Sequence, residues 1–245
     1  FFKQKTAYEI KECDWSSDVC SSDLYRIYAK LMAGGEPFDW DGEFFQLKHA
    51  FTDPLPYQRP RPAVMSAGVS NKGRDFAAQA ADILFTNAAE LALGKQMTDS
   101  VRGYAAKHDR NVDVYASCVY FCRPTRKEAE DFYYYIAEEN ADRETTSRFK
   151  KKRIATATDG EVQFSKETDV PPIPRHDRAM GKLYSGSIPG VYPLVGSPDD
   201  IVEELQKLSS IGIAGSSLAF VNYKSELPLF VQEVLPRMQR VGLRN

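Results

Sequence analysis

The sequence predicts an α/β chain built on a parallel sheet, and three observations predict it. From residue 63 onward, short apolar runs alternate with longer amphipathic stretches. The longer stretches carry apolar residues three and four apart, the period of a helix with one buried face. The junctions hold the small and acidic residues that start and stop helices. Strands that alternate with helices pair in parallel, because each helix carries the chain back along the sheet.

Residues 25–32 place Ile27, Tyr28 and Leu31 on one helical face, and Gly34-Gly35 end that helix. The segment 37–47, PFDWDGEFFQL, sets the turn pair Asp41-Gly42 between aromatic residues and reads as a short hairpin or loop. A proline-rich connector runs on to Pro62. Residues 63–66 then form a short buried strand, and 73–81 a helix with Phe76, Ala77 and Ala80 on one face. A second strand covers 82–86. The next helix, 89–107, repeats Leu93, Met97, Val101 and Tyr104 at helical spacing. The long β-rich run 112–121 follows, and Cys118, Tyr120 and Cys122 fall on one strand face as small or aromatic buried residues.

Thr125 starts a helix that continues through Phe132 and Ile136, with Tyr133, Tyr134 and Tyr135 divided between core and surface. Residues 141–174 are polar, weakly periodic and longer than an ordinary connection, which suits a functional loop or lid. Ser197-Pro198-Asp199-Asp200 is a helix start: a capping serine, proline at the first helical position and acids in the first turn. Ile201, Leu205 and Leu208 make its buried stripe, and Gly212 stops it. Residues 217–223 are read as the fourth strand and 228–241 as the last helix. Four strands do not close a (β/α)8 barrel, which takes eight strands and typically about 250 residues. The residues themselves therefore leave two architectures open, part of such a barrel and a small open doubly wound domain.

Residues 1–24 differ in kind from the rest. The string FFKQKTAYEI, two variable residues, then CDWSSDVCSSDL is what a common sequencing-library adapter gives when translated in one frame. The expectation is a non-native leader over 1–24 and a domain over 25–245. The segment lacks the positive start and the apolar run of a secretory signal. Cys13, Cys20 and Trp15 lie in it, which leaves Cys118, Cys122 and Trp40 as the domain's own.

A chain of 245 residues, 42% hydrophobic and 27% charged, has the composition of a soluble globular protein of one or two domains. Its net charge of −2 argues against a nucleic-acid partner, which calls for a strongly basic face. No apolar run approaches a membrane span. Two cysteines four apart make neither a disulfide framework nor a zinc site, so cytoplasm is the expected compartment. His49, His108 and His176 have no metal-ligand spacing and read as surface or loop residues.

The stretch with most chemical content is Ser66-Ala67-Gly68-Val69-Ser70-Asn71-Lys72-Gly73, which joins a strand to a helix. Gly68 allows close backbone approach and Ser70 can cap the helix. Free amides and the helix dipole at that junction favour a phosphate. A plain capped helix after a tight turn explains the same residues equally well.

SAGVSNKGRDFAAQAADILF resembles the segment after the fifth barrel strand of the luciferase-like monooxygenases. PFDWDGEFFQL with PLPYQRPRP resembles the aromatic loop and proline-rich connector ahead of that strand. YPLVGSPDDIVEELQKLSSIGIAGSSLAF resembles the family's seventh helix and eighth strand. The resemblance implies a (β/α)8 TIM barrel, represented by roughly its C-terminal half. It implies that Ser70, with Ala67 and the Gly68 and Val69 backbone, holds an FMN phosphate. It further implies an FMN-dependent monooxygenase that takes reduced flavin from a separate flavin reductase. With dioxygen as co-substrate, such an enzyme oxygenates a small organic compound, sulfur- or nitrogen-containing in the nearest branch, and is a homo-oligomer at full length.

Nothing here matches the family's first four strands, so the main catalytic residues are unassigned and the fragment alone is expected to be inactive. A deazaflavin-dependent oxidoreductase of the same fold, a non-catalytic flavin-binding half-barrel and another phosphate-binding barrel enzyme remain open. Among residues outside the matched motifs, His176 and Arg178 are the candidates for a polar catalytic role, with a solvated helix start as the favoured reading. The run Lys150-Lys151-Lys152-Arg153 is read as a solvated segment.

Overall fold

The chain is a run of β/α units on one parallel sheet, preceded by an antiparallel hairpin. The computed structural model describes residues 18–68, 70–88, 90–142, 144–145, 147–148 and 191–244. Helix α1 (Asp18–Ala33) ends where expected: Gly34 takes a φ of 76° and its amide donates to the Leu31 carbonyl at 3.1 Å. At its other end α1 crosses residue 24, the expected boundary of the leader. Extending an existing helix by a turn or two costs far less than starting one, and Asp23 is tied down by Trp40, whose Nε1 donates to Asp23 Oδ1 at 2.9 Å. The aromatic segment forms the predicted hairpin, β1 (Phe38–Asp41) antiparallel to β2 (Gln46–Ala50).

The parallel sheet contains β3 (Met65–Ser66), β4 (Ile83–Thr86), β5 (Asp113–Cys122), β6 (Tyr192–Gly196) and β7 (Ile213–Phe220). Strand β7 pairs with β5 over 114–120, which overlaps both the stretch paired with β4 (113–116) and that paired with β6 (118–122). A strand has two edges, so β4 and β6 lie end to end along the edge opposite β7. The order β3-β4-β5-β7 runs parallel and in chain order, as strands do in a barrel, with β6 set beside the end of β5 and not between β5 and β7.

The helices are α2 (Asn71–Ala80), α3 (Leu91–Ala106), α4 (Arg126–Tyr134), α5 (Pro198–Ser210), α6 (Tyr223–Leu229) and α7 (Leu235–Arg240). Wide π turns continue α4 over Tyr135–Glu139 and join α6 to α7 over Phe230–Val234.

Three elements differ from the sequence reading. YPLVG forms its own strand, β6; its proline and short length hide it, while pairing with the end of β5 makes it. The strand read at 217–223 lies at Ile213–Phe220, because Gly215, Ser216 and Ser217 have weak strand propensity but are paired one by one with Tyr115, Ala116 and Ser117. The last helix begins at Tyr223 and carries Pro228 inside it, with Asn222 as its N-cap. Residues 141–174, apart from the few described between 141 and 148, lie outside the described residues, so the lid reading is untested by the fold.

Helices α2, α3 and α5 cover one face of the sheet. Ala77 and Ala78 on α2, with Ala81 just after it, are fully buried, and their small side chains let the helix lie close to β3 and β4. Leu84, Val101, Ile201 and Leu208 are each at most 1% exposed and contribute about 1.5–3 kcal/mol apiece. Alternation along β5 divides its side chains. Cys118, Tyr120 and Cys122 join this large core, whereas Val119 and Phe121 pack with Ala129, Tyr133 and Val195 in a second cluster under α4. Tyr133 is buried, Tyr134 half-buried and Tyr135 exposed, the division the sequence led us to expect.

The end of the sheet where β4 and β5 begin is closed by Asp82. Arg61 donates to it with both terminal nitrogens, at 2.5 and 3.1 Å, and the Val64 amide donates at 2.8 Å. No helix among the described residues is long and apolar enough to cross a membrane.

Candidate functional site

The opposite edge of the sheet, at the carboxyl ends of the strands, is where α/β folds bind ligands. Among the described residues five connections meet it: 67–70 after β3, 87–90 after β4, 123–125 after β5, Ser197 after β6 and 221–222 after β7. Each leads into a helix start, so the edge carries several sets of backbone amides that have no acceptor within their own helix.

The first connection is the motif singled out in the sequence. Ala67 is exposed and Gly68 and Ser70 are half-buried; Val69 lies outside the described residues. Ser70 is the N-cap of α2, with extended backbone (φ −69°, ψ 162°) and an Oγ that accepts from the Gly73 amide at 3.0 Å. The Gly68 amide faces Ser66 Oγ at 3.4 Å. Gly68 and Gly73 lie backbone against backbone: a Cβ on Gly68 would stand 2.7 Å from Gly73 Cα, and one on Gly73 2.8 Å from Gly68 Cα. Two glycines are therefore needed for the turn to fold over the helix start.

Arg74 fixes that start from the side. Its Nη2 donates to Asn71 Oδ1 at 3.0 Å, its Nη1 to Ser100 Oγ on α3 at 3.2 Å, and its Nε reaches the Ser70 carbonyl at 3.4 Å. The first turn of α2 holds Lys72 and no acidic residue, so nothing in the turn offsets the positive end of the helix dipole. A partly exposed, closely folded turn with a capping hydroxyl and a positive helix end fits a phosphate, so the residues present fit the phosphate of FMN.

A second cluster sits at the ends of β5 and β7, and no sequence signal pointed to it. Glu226, in the first turn of α6, has a side chain only 3% exposed. Its Oε1 accepts from Arg123 Nη1 at 3.0 Å and its Oε2 from the Asn222 amide at 2.9 Å. Arg123 also donates from Nη1 to the Cys122 carbonyl at 2.6 Å and stacks on Phe132, with its guanidinium carbon 3.7 Å from the ring centroid. Beside this pair, Tyr120 is fully buried against Phe220 and Phe230, and its hydroxyl has no hydrogen-bond partner among the described residues. Burial raises the Tyr120 phenol well above its usual range, and the neighbouring Cys122 and Glu226 push it the same way. Burial also pushes the Cys118 thiol up to about 11, only partly opposed by the Ser216 hydroxyl. Both cysteines are free and buried, as expected for core residues.

His176 and Arg178 lie outside the described residues, as does the Lys150 to Arg153 run. His49 and His108 are exposed; His108 Nε2 lies 3.3 Å from Asp75 Oδ1. Among the described residues no group of histidines, cysteines and carboxylates is arranged to hold a metal.

The sequence and the fold are both similar to those of known proteins. A dimethylsulfone monooxygenase of Pseudomonas putida, described as FMNH2-dependent, is 26% identical over 207 residues, covering 83% of this chain and 54% of its own. The crystal structure of DmoA from Hyphomicrobium sulfonivorans superposes with a TM-score of 0.70 at 18% identity, covering 91% of this chain and 55% of that one. A riboflavin lyase, solved with modified FMN and riboflavin, superposes at 0.69 with 17% identity, covering 92% and 57%. The chain thus spans about half the length of the relatives it matches. The luciferase-like monooxygenase profile matches residues 21–215, so the chain belongs to the luciferase-like monooxygenase family.

Proposed function

We propose that the turn 67–70 and the start of α2 hold the phosphate of FMN in an FMN-dependent monooxygenase, of which residues 25–245 form the C-terminal part of the barrel. The observation that carries this is the glycine-on-glycine contact of Gly68 and Gly73, which folds a partly exposed turn over a serine-capped, positively polarised helix start at the ligand-binding edge. Family membership and the FMN-dependent relatives support it. Reduced FMN, delivered by a separate reductase, supplies the electrons and the site of oxygen activation when bound.

The chain's own residues do simpler work. Ser70 and the first amides of α2 grip the phosphate, and Arg74 keeps those amides aimed by tying α2 to α3. The substrate is a small organic molecule oxygenated with dioxygen.

Titration of the chain with FMN and with riboflavin, followed by flavin fluorescence, tests the reading. FMN should bind saturably and riboflavin far more weakly, and Ser70→Ala should weaken FMN without affecting riboflavin. Equal binding of the two flavins would remove the phosphate corner. Preference for a deazaflavin coenzyme over FMN would transfer the chain to the hydride-transfer branch of the fold.

A further inference from the structure

Arg123 is held more firmly than a surface arginine and is left only partly used. A guanidinium has five N–H donors in a fixed plane. Here Nη1 serves the Cys122 carbonyl and Glu226, one face lies on Phe132, and the Nε and Nη2 donors have no partner among the described residues. The side chain is 26% exposed, so the group is accessible while fixed. Nε–H and one Nη2–H point the same way and form the fork that matches a carboxylate with two parallel hydrogen bonds.

We propose that this edge of Arg123 binds the carboxylate of a small anionic ligand and makes Arg123 a specificity-determining residue for the site. The position supports it: Arg123 is the first residue beyond β5 on the ligand-binding edge, two residues before the Thr125 cap of α4. Glu226 acts as a positioning residue. Its second oxygen is fixed by the Asn222 amide, so the pair ties Arg123 to the loop after β7 and fixes its orientation before any ligand arrives. The same carboxylate partly neutralises the arginine, so binding is weak in the native chain and should strengthen when that charge is removed. A purely structural latch would respond the other way, since both of its partners only hold the loop. The identification of the ligand as substrate rests on the monooxygenase reading; the anion site does not.

The test is titration of the 245-residue chain with sodium malonate at constant ionic strength, with malonamide as the uncharged control, followed by the NMR signal of the Arg123 Nε–H. Malonate should shift that signal saturably and malonamide should not. Arg123→Gln should weaken malonate binding about tenfold or more, the scale of a lost charge-assisted pair. Because Arg123→Gln leaves Glu226 buried without its cation, the double variant Arg123→Gln/Glu226→Gln is made alongside it. It should fold, as read by circular dichroism, and still fail to bind. Glu226→Gln alone should bind malonate several-fold more tightly. An unmoved Nε–H signal, malonate affinity unchanged in the double variant, or weaker binding in Glu226→Gln would each overturn the proposal. FMN affinity is measured in the same samples: its loss from the native chain with malonate binding intact would count against the flavin reading alone.

Discussion

Gly68 and Gly73 lie so close that a methyl group on either would stand within 2.9 Å of the other's α-carbon. The neighbouring atoms are backbone, which cannot move aside as the end of a long side chain can. Gly68→Ala should therefore destabilise the chain by about 1–3 kcal/mol, the usual cost of forcing an extra carbon into a packed site. It should also weaken FMN, because the turn must open to make room. Thermal unfolding and flavin fluorescence on the same sample check both. A Gly68→Ala chain with native melting temperature and native FMN affinity would show that the contact is not needed by the turn.

Asp82 acts at the other end of the sheet, and its effects should separate from those on ligand binding. Arg61, through hydrogen bonds and charge, holds the Asp82 carboxyl below its ordinary 3.8, outweighing partial burial; the Val64 amide assists. A carboxyl with a lowered folded pKa adds stability that is complete above the unfolded value near 4 and disappears as pH falls through the folded one. Asp82→Asn should cost about 1–2 kcal/mol at neutral pH, the low end for a charged pair because the Asp82 side chain is 37% exposed. The difference between native and variant urea midpoints should shrink as pH drops from about 5 towards 2. A constant difference across that range would show that the carboxylate charge is not what stabilises this end. FMN affinity at neutral pH should stay as in the native chain.

Cys118 is the buried group whose chemistry is easiest to read. With its thiol pushed up to about 11 from 9.0, chiefly by burial, it is protonated at pH 8. Its folded value is raised, so its contribution to stability is complete below 9 and disappears as pH climbs through 11. Alkylation by iodoacetamide at pH 8, read at the Cys118 peptide by mass spectrometry, should be slower in the folded chain by about 100-fold from the thiolate fraction alone. Equal rates in folded and urea-unfolded chains would mean that the strand opens freely.

What the sequence made visible follows from how local each signal is. The start of α5 could be read at sight because Ser197, Pro198, Asp199 and Asp200 are adjacent, and the structure has each in its expected place. The Ser70 cap was legible for the same reason. Strand β6 was not, since a five-residue segment with a proline becomes a strand only when β5 offers it an edge. The displacement of β7 has a similar origin: glycine and serines look like a loop until Tyr115, Ala116 and Ser117 pair with them. At the site, the Gly68 turn was legible as a motif, but its contact with Gly73 was not. Arg123 and Glu226 are 103 residues apart, and neither residue type has any local feature that announces the other.

The cap of α5 also forms part of a wider link. Ser197 Oγ donates to Asp200 Oδ2 at 2.8 Å and accepts from the Asp200 amide, while the Ser197 amide donates to the same carboxyl oxygen at 2.9 Å. The other oxygen, Oδ1, takes Arg126 from the first turn of α4, so one carboxylate joins two helices. Partial burial raises the Asp200 carboxyl, but Arg126 and Ser197 together hold it below its usual range. Ser197→Ala should cost about 1 kcal/mol, the normal value of a lost cap. Asp200→Ala should cost more, because the Ser197 amide and Arg126 both lose their acceptor. The two changes share one hydrogen-bonded unit, so the double variant should lose less than the sum of the singles, by about 0.5 kcal/mol or more. Urea unfolding of the four chains measures this directly. Agreement with simple addition to within about 0.3 kcal/mol would mean that cap and inter-helix pair act independently, and that α4 is held against β5 and β6 by its apolar contacts alone.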